Sequence, residues 1–147
     1  MSASTATTRA LLLAAYLAGW HARRFDWARA NCCQFAAGWV AEATGRDPMR
    51  GLPATPTQHA ARRLVLHLGG SLADACTRML GSPPIEPAHA GLGDLVLLPV
   101  SAHPASGAVA ICGGRLSAAL TQDAGIVWVP TAIAVHAWRI DGEGLAA

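Results

Sequence analysis

The 147-residue chain is apolar and weakly charged, with 52% hydrophobic and 14% charged residues and a formal net charge of +2. This length fits one domain, residues 1–147, and leaves no room for a second core. No basic cluster alternates with aromatic residues and no apolar run reaches about eighteen residues, so neither nucleic-acid binding nor a membrane span is expected. The low charge suits a subunit that sits inside an assembly.

The four cysteines show no repeated spacing and include no Cys-x-x-Cys pair. A disulfide framework or a structural zinc site is therefore not expected. We predict four free thiols, with Cys76 and Cys112 buried as small apolar residues. The sequence predicts no cofactor and no metal.

The first predicted helix is capped by Thr7 or Thr8 and runs through about Trp20. Its leucine-rich start resembles a weak secretory signal. However, a polar Ser/Thr run precedes it, and bulky Trp20 and His21 occupy the place where small residues would mark a cleavage site. A first helix of the domain, rather than a signal peptide, is expected.

The second predicted helix covers residues 32–43, with Asn31 as its N-cap and Gly45 as its stop. Phe35, Trp39 and Ala43 recur every four residues and predict a buried face. After a loop over residues 46–56, a third helix is predicted at 57–68, before Gly69-Gly70. Ser71 opens a short fourth helix that fades by residue 81, and prolines then predict an extended connection.

The pattern changes to strands after Gly93. Apolar or alternating runs predict strands at 95–100, 107–112, 115–120 and 126–129, and Gly113-Gly114 predicts a two-residue hairpin turn. A short helix at 130–137 and a closing strand at 138–140 complete the chain. Helices followed by an antiparallel meander make an α+β fold.

Cys32 is the residue best placed for chemistry. The helix dipole and the free N–H groups at a helix start favour a thiolate, and the same groups can stabilise an oxyanion. A buried structural cysteine is the alternative interpretation at this point.

The order of elements resembles the NlpC-type family of papain-like cell-wall cysteine peptidases. In that family an aromatic segment precedes Asp-Cys-Ser-Gly, as Phe25 and Trp27 precede Asn31-Cys32 here. Gly-Asp opens the first core strand, as at Gly93-Asp94, and the next strand begins with His-Val-Gly-Ile. The likeness covers residues 10–140 and is strongest to short prophage tail-associated members that carry Asp-Cys-Cys and end in Ala-Trp-Arg, here residues 137–139. It implies N-terminal helices packed on a C-terminal antiparallel sheet.

The resemblance makes Cys32 the nucleophile and gives Asp94 a structural role. It aligns Ala108 with the histidine that should activate the thiol, and alanine cannot accept a proton. The third polar residue falls near Ser117 and is not assigned. Among the remaining histidines, His103 is the best candidate for a displaced base, because its loop directly precedes the strand that carries Ala108 in place of the histidine. The other interpretation of His103 is a solvated loop residue.

Three functions follow from the resemblance. The leading hypothesis is a phage or prophage tail-tip (baseplate) assembly protein with a degenerate site, which is incorporated into the virion after assembly in the host cytoplasm and contacts other tail or baseplate proteins. The first alternative is an active hydrolase of peptidoglycan peptides that uses Cys32 and His103. The second is a module that binds wall peptides without cutting them.

Overall fold

The computed structural model describes residues 3–99 and 107–141. Over these residues the chain is α+β, as expected, with helices preceding a five-stranded antiparallel sheet. The helices are α1 (Ala3–Trp20), α2 (Cys32–Thr44), α3 (Gln58–Gly69) and α4 (Leu72–Leu80). The strands are β1 (Leu95–Leu98), β2 (Ala108–Cys112), β3 (Leu116–Thr121), β4 (Gly125–Pro130) and β5 (His136–Trp138). In this part of the chain, none of the helices combines the length and apolarity that crossing a membrane requires.

Side-chain caps and glycines fix the ends of the inner helices. The predicted N-caps Asn31 and Ser71 each accept a hydrogen bond from a first-turn N–H, as Thr57 does before α3. Each of these helices ends at a glycine with positive φ. The predicted bounds of α2, α3 and α4 are therefore confirmed to within about two residues.

The start of α1 differs from the prediction. The helix begins at Ala3, so Thr7 and Thr8 lie inside it instead of capping it. Threonine in a helix interior costs under about 1 kcal/mol relative to alanine, and the alanines around these residues favour continuing the helix.

The strand order is β4-β3-β2-β1-β5. Strand alternation gives the sheet two buried faces. One face packs against the four helices and contains Leu95, Leu97, Val109, Ile111, Ala118, Leu120 and Trp138. The other packs against residues 85, 90 and 134, beside the short 3-10 helices Pro87–His89 and Thr131–Ile133, and contains Val96, Leu98, Ala110, Cys112, Ala119 and Ala137.

Three details of the sheet and its connections correct the prediction. Gly113 donates its N–H to Leu116 O, so Gly114 and Arg115 form the hairpin turn, one residue later than expected. Gly113 is needed for another reason, because the Trp128 ring occupies the space of a side chain there. The predicted helix at 130–137 is only a 3-10 turn over Thr131–Ile133, and the last strand is His136–Trp138 instead of 138–140.

A buried carboxylate ties the two ends of the described chain together. Asp94 Oδ1 accepts a hydrogen bond from Ile140 N at 2.9 Å, and Oδ2 accepts one from Gly91 N at 2.9 Å. The Arg9 guanidinium lies 3.6 Å from Asp94 and donates to Leu92 O and Ile140 O. The carboxylate thus has the structural role expected from the sequence.

Candidate functional site

The N-terminal turn of α2 holds Cys32 in a fixed position. Asn31 Oδ1 accepts from Gln34 N at 2.9 Å, and Gln34 Oε1 accepts from Asn31 N at 3.0 Å, which completes a capping box. Asn31 also donates to Trp27 O at 2.8 Å, which anchors the preceding aromatic segment. Because Asn31 is buried and both polar atoms of its side chain are hydrogen-bonded, Cys32, the residue after it, cannot shift easily.

The Cys32 thiol is half-buried, and it is free, like the other three cysteine thiols. The neighbouring Cys33 thiol, as a hydrogen-bond donor, and the backbone N–H groups of Val109, Cys32 and Cys33 lower the pKa of Cys32 to about 7, against an opposing effect of burial. The same interaction and burial raise the pKa of Cys33 well above its ordinary value. Cys32 is therefore the thiolate of the pair and Cys33 the donor.

The strand that faces Cys32 is β2. This strand pairs with β3 only at Ile111–Ala118 and Cys112–Ser117, so the N–H of Val109 lies outside that ladder and is available to the Cys32 sulfur. The Val109 side chain lies on the helix-facing side of the sheet. The sulfur therefore meets a backbone donor and an apolar side chain on this strand.

Ala108, which the resemblance aligns with the missing histidine, lies on the opposite side of the sheet. It packs with Ala110 and Cys112 on the face turned away from the helices. A side chain at residue 108 therefore points away from Cys32, and the helix-facing position at this end of β2 is Val109. Consecutive side chains of a strand point to opposite faces of the sheet, so residues 108 and 109 cannot both face the helices.

The candidate base His103 lies outside the described residues. None of the five histidines within the described ranges hydrogen-bonds Cys32; they are His21, His59, His67, His89 and His136. The last of these, on β5, shares the helix-facing side with Trp138, and its buried Nδ1 has no partner in the described structure. Over residues 3–99 and 107–141, the thiol thus has no imidazole hydrogen-bonded to it.

Ser117, near which the third polar residue was expected, serves a different purpose. Its side chain lies on the face opposite the helices, with Oγ 2.7 Å from Thr131 Oγ1. Thr131 Oγ1 donates to Gly114 O at 2.6 Å, and both side chains are buried. These bonds fix the hairpin and leave Ser117 unable to orient a base near Cys32.

A small apolar pocket of about 30 Å³ lies next to the site. Its walls come from α2, α4, β1 and β2 and from the loop after α2, and both Cys33 and Cys76 line it together with Val109. Cys76 and Cys112 are buried as predicted, and burial raises the pKa of Cys76 to about 12. The pocket has room for about two water-sized groups but no polar side chain other than thiols to bind them.

The described residues contain no group of three or more His, Cys, Asp or Glu side chains arranged to hold a metal ion. Cys32, Cys33 and Cys76 are thus neighbours without being a ligand set. The site consists of one thiolate, one donor thiol, backbone N–H groups and an apolar wall.

A family model described as "Domain of unknown function (DUF6950)" matches residues 6–140. The chain belongs to this family. No curated protein matches the chain. The match spans nearly all of the helices and the whole sheet, so the thiol site and the contacts of Asp94 with Arg9, Gly91 and Ile140, here called the Asp94 clamp, lie within the family domain.

The sequence pointed to Cys32 but missed two of its neighbours. The sequence predicts Cys33 only as one of four free thiols, although it is the largest influence on the Cys32 pKa. Val109 follows Ala108 in the strand that the resemblance aligns with His-Val-Gly-Ile, and that alignment gives it no role at the site. Alternation of larger side chains at 109 and 111 with alanine at 108 and 110 was the signal that could have placed Val109 against the helices.

Proposed function

We propose that the protein is a phage or prophage tail-tip (baseplate) assembly subunit built on a degenerate NlpC-type, papain-like cysteine peptidase fold. The fold resemblance is supported by α2 beginning at Cys32 and packing on the sheet that Gly93-Asp94 opens. The tail assignment is supported by the likeness to short prophage members and by the low charge of the chain. Its partners are other tail proteins.

One observation supports a non-catalytic role above all others. The strand position that faces Cys32 is Val109, and no histidine of the described chain reaches the sulfur. Peptide hydrolysis needs a general acid to protonate the leaving amine, and a thiolate alone cannot supply that proton. The low pKa of Cys32 makes a nucleophile but does not complete a peptidase site.

The first experiment is digestion of purified muropeptides, read by mass spectrometry, with wild-type protein and the Cys32→Ala and His103→Ala variants. We expect no cleavage by wild-type protein whose folding has been checked by circular dichroism. In parallel, a phage that encodes Cys32→Ala should form tails normally, whereas deletion of the gene should prevent tail assembly. Cleavage that disappears in Cys32→Ala would overturn the proposal.

The alternative, an active peptidoglycan hydrolase, is favoured by Cys32 being only partly buried and by its lowered pKa. This function requires a base from outside the described residues, and His103 is the candidate. Loss of cleavage in both Cys32→Ala and His103→Ala would establish it. Loss in Cys32→Ala alone would show that another group acts as the base.

A further inference from the structure

The two edges of the sheet differ in how they are covered. At the β5 edge, Ile85 forms a bridge with Ala137 and donates its N–H to Ala137 O at 2.7 Å. At the β4 edge, no described segment pairs with the outer side of the strand. An open edge presents backbone donors and acceptors that can pair with another strand.

The hydrogen-bond pattern shows which groups of β4 point outward. Thr131 N donates to Arg115 O, so by alternation Val129 and Val127 face β3. Ile126 and Trp128 therefore direct their N–H and C=O groups away from the sheet. Neither residue hydrogen-bonds another described part of the chain through these groups.

The features that usually protect an edge strand are absent from the centre of β4. The segment Gly125–Pro130 contains no charged residue, and its only proline is the last residue. The Trp128 side chain is 48% exposed, although its ring packs on Gly113. An uncharged strand with an exposed tryptophan is suited to an apolar, extended partner.

We propose that β4 pairs antiparallel with β4 of a second copy of this chain, about a two-fold axis at Val127. In this register Ile126 lies opposite Trp128 of the second copy and exchanges two hydrogen bonds with it, and the symmetry repeats the pair. The two five-stranded sheets become one continuous ten-stranded sheet. Because β4 has no charge, self-pairing brings no like charges together.

The ends of the strand make this register self-complementary. Pro130, which has no N–H, would lie opposite Ala124 of the second copy. Ala124 N already donates to Thr121 Oγ1 at 3.0 Å, so it does not need the acceptor that a longer ladder would provide. The pairing thus ends on both sides without an unsatisfied donor. Dimerisation through β4 is independent of whether Cys32 is reactive.

Sedimentation equilibrium of the full chain over a concentration series tests the pairing. We expect wild-type protein to reach twice the monomer mass, and Trp128→Lys to remain monomeric because it places a charge on the edge. Leu116→Lys is the matched control, since Leu116 is also 48% exposed on the same face but lies on β3. Dissociation in both variants would indicate a general apolar patch and would contradict edge pairing.

A cysteine placed at the two-fold axis tests the register directly. Val127→Cys should form a disulfide-linked dimer under mild oxidation, since residue 127 faces its own copy, whereas Val129→Cys should not. Wild-type protein, with its own four cysteines, is the control. A wild-type chain that stays monomeric up to about 1 mM would overturn the proposal and leave the edge for a strand of another tail protein.

Discussion

The surroundings of Asp94 and of Cys32 are two polar regions built in opposite ways. Each oxygen of the Asp94 carboxylate accepts a backbone N–H, and the Arg9 guanidinium lies 3.6 Å away as the counter-ion. The Cys32 thiol has one neighbouring thiol, backbone N–H groups and the apolar Val109 beside it. The polar groups around Asp94, which maintain the fold, all have partners. The described site around Cys32 lacks the groups that acid–base catalysis would need, and for this reason we favour an assembly role.

The largest expected effect comes from removing the carboxylate of the first region. Asp94→Ala leaves Arg9, whose side chain is only 11% exposed, without its counter-ion and two N–H groups without acceptors, which should lower the free energy of unfolding by about 3–5 kcal/mol. Urea unfolding monitored by tryptophan fluorescence measures this. Asp123→Ala, at an exposed turn residue, is the control and should change stability by under about 0.5 kcal/mol. A loss under about 1 kcal/mol for Asp94→Ala would show that the clamp is dispensable.

The packing of α1 on α2, which positions Cys32, can be tested by substituting two glycines, Gly38 and Gly19. A Cβ at Gly38 would collide with Tyr16 Oη, which donates to Phe35 O at 2.5 Å and links α1 to α2. Gly38→Ala should therefore cost about 1–3 kcal/mol of stability. Gly19, the penultimate residue of α1, has open space around its Cβ position, so Gly19→Ala should stabilise the helix, by less than the roughly 0.5–1 kcal/mol typical of a helix interior.

Thermal unfolding of the two glycine variants should give midpoints on opposite sides of the wild-type value. Equal midpoints would show that the contact between Tyr16 and α2 is not tightly packed.

A smaller effect is expected on the reactivity of the thiol. Its pKa of about 7 should give an alkylation rate by iodoacetamide that reaches half its maximum near that pH, since only the thiolate reacts. Removing the donor in Cys33→Ala should raise this midpoint toward the ordinary value of 9.0, so that the rate at neutral pH falls. Peptide mapping after alkylation measures each site separately, and buried Cys112 should stay unmodified. An unchanged midpoint in Cys33→Ala would show that backbone donors alone set the pKa.

The smallest expected effect distinguishes the aligned motif from the structure. Ala108→His restores the histidine that the resemblance calls for, yet residue 108 lies on the face turned away from the thiol. The alkylation midpoint of Cys32 should therefore remain near pH 7. A clear decrease would mean that a histidine at residue 108 reaches the thiol and that β2 presents its other face to α2.

The sequence was informative where local chemistry decides the structure. Asn31, Ser71 and the glycines after the helices predicted the helix ends, because caps act within one turn. The face on which Ala108 lies could not be predicted from local chemistry, because the elements that pack on a strand decide which of its alternating side chains point toward them. The same reason explains Gly113, whose role is to accommodate a ring from a strand that comes later in the chain.

The clamp at Asp94 also bears on how the chain folds during synthesis. Arg9 and Ile140 are 131 residues apart and meet at this carboxylate. Translation at about 5–20 residues per second separates their appearance by roughly 7–26 s. During that interval the apolar residues of α1 can already pack on α2, through the contact between Tyr16 and Phe35, whereas the Arg9 guanidinium still lacks the carbonyl of Ile140. The apolar contact of α1 can therefore form early in synthesis, and its polar contact through Arg9 can form only after the last strand has been made.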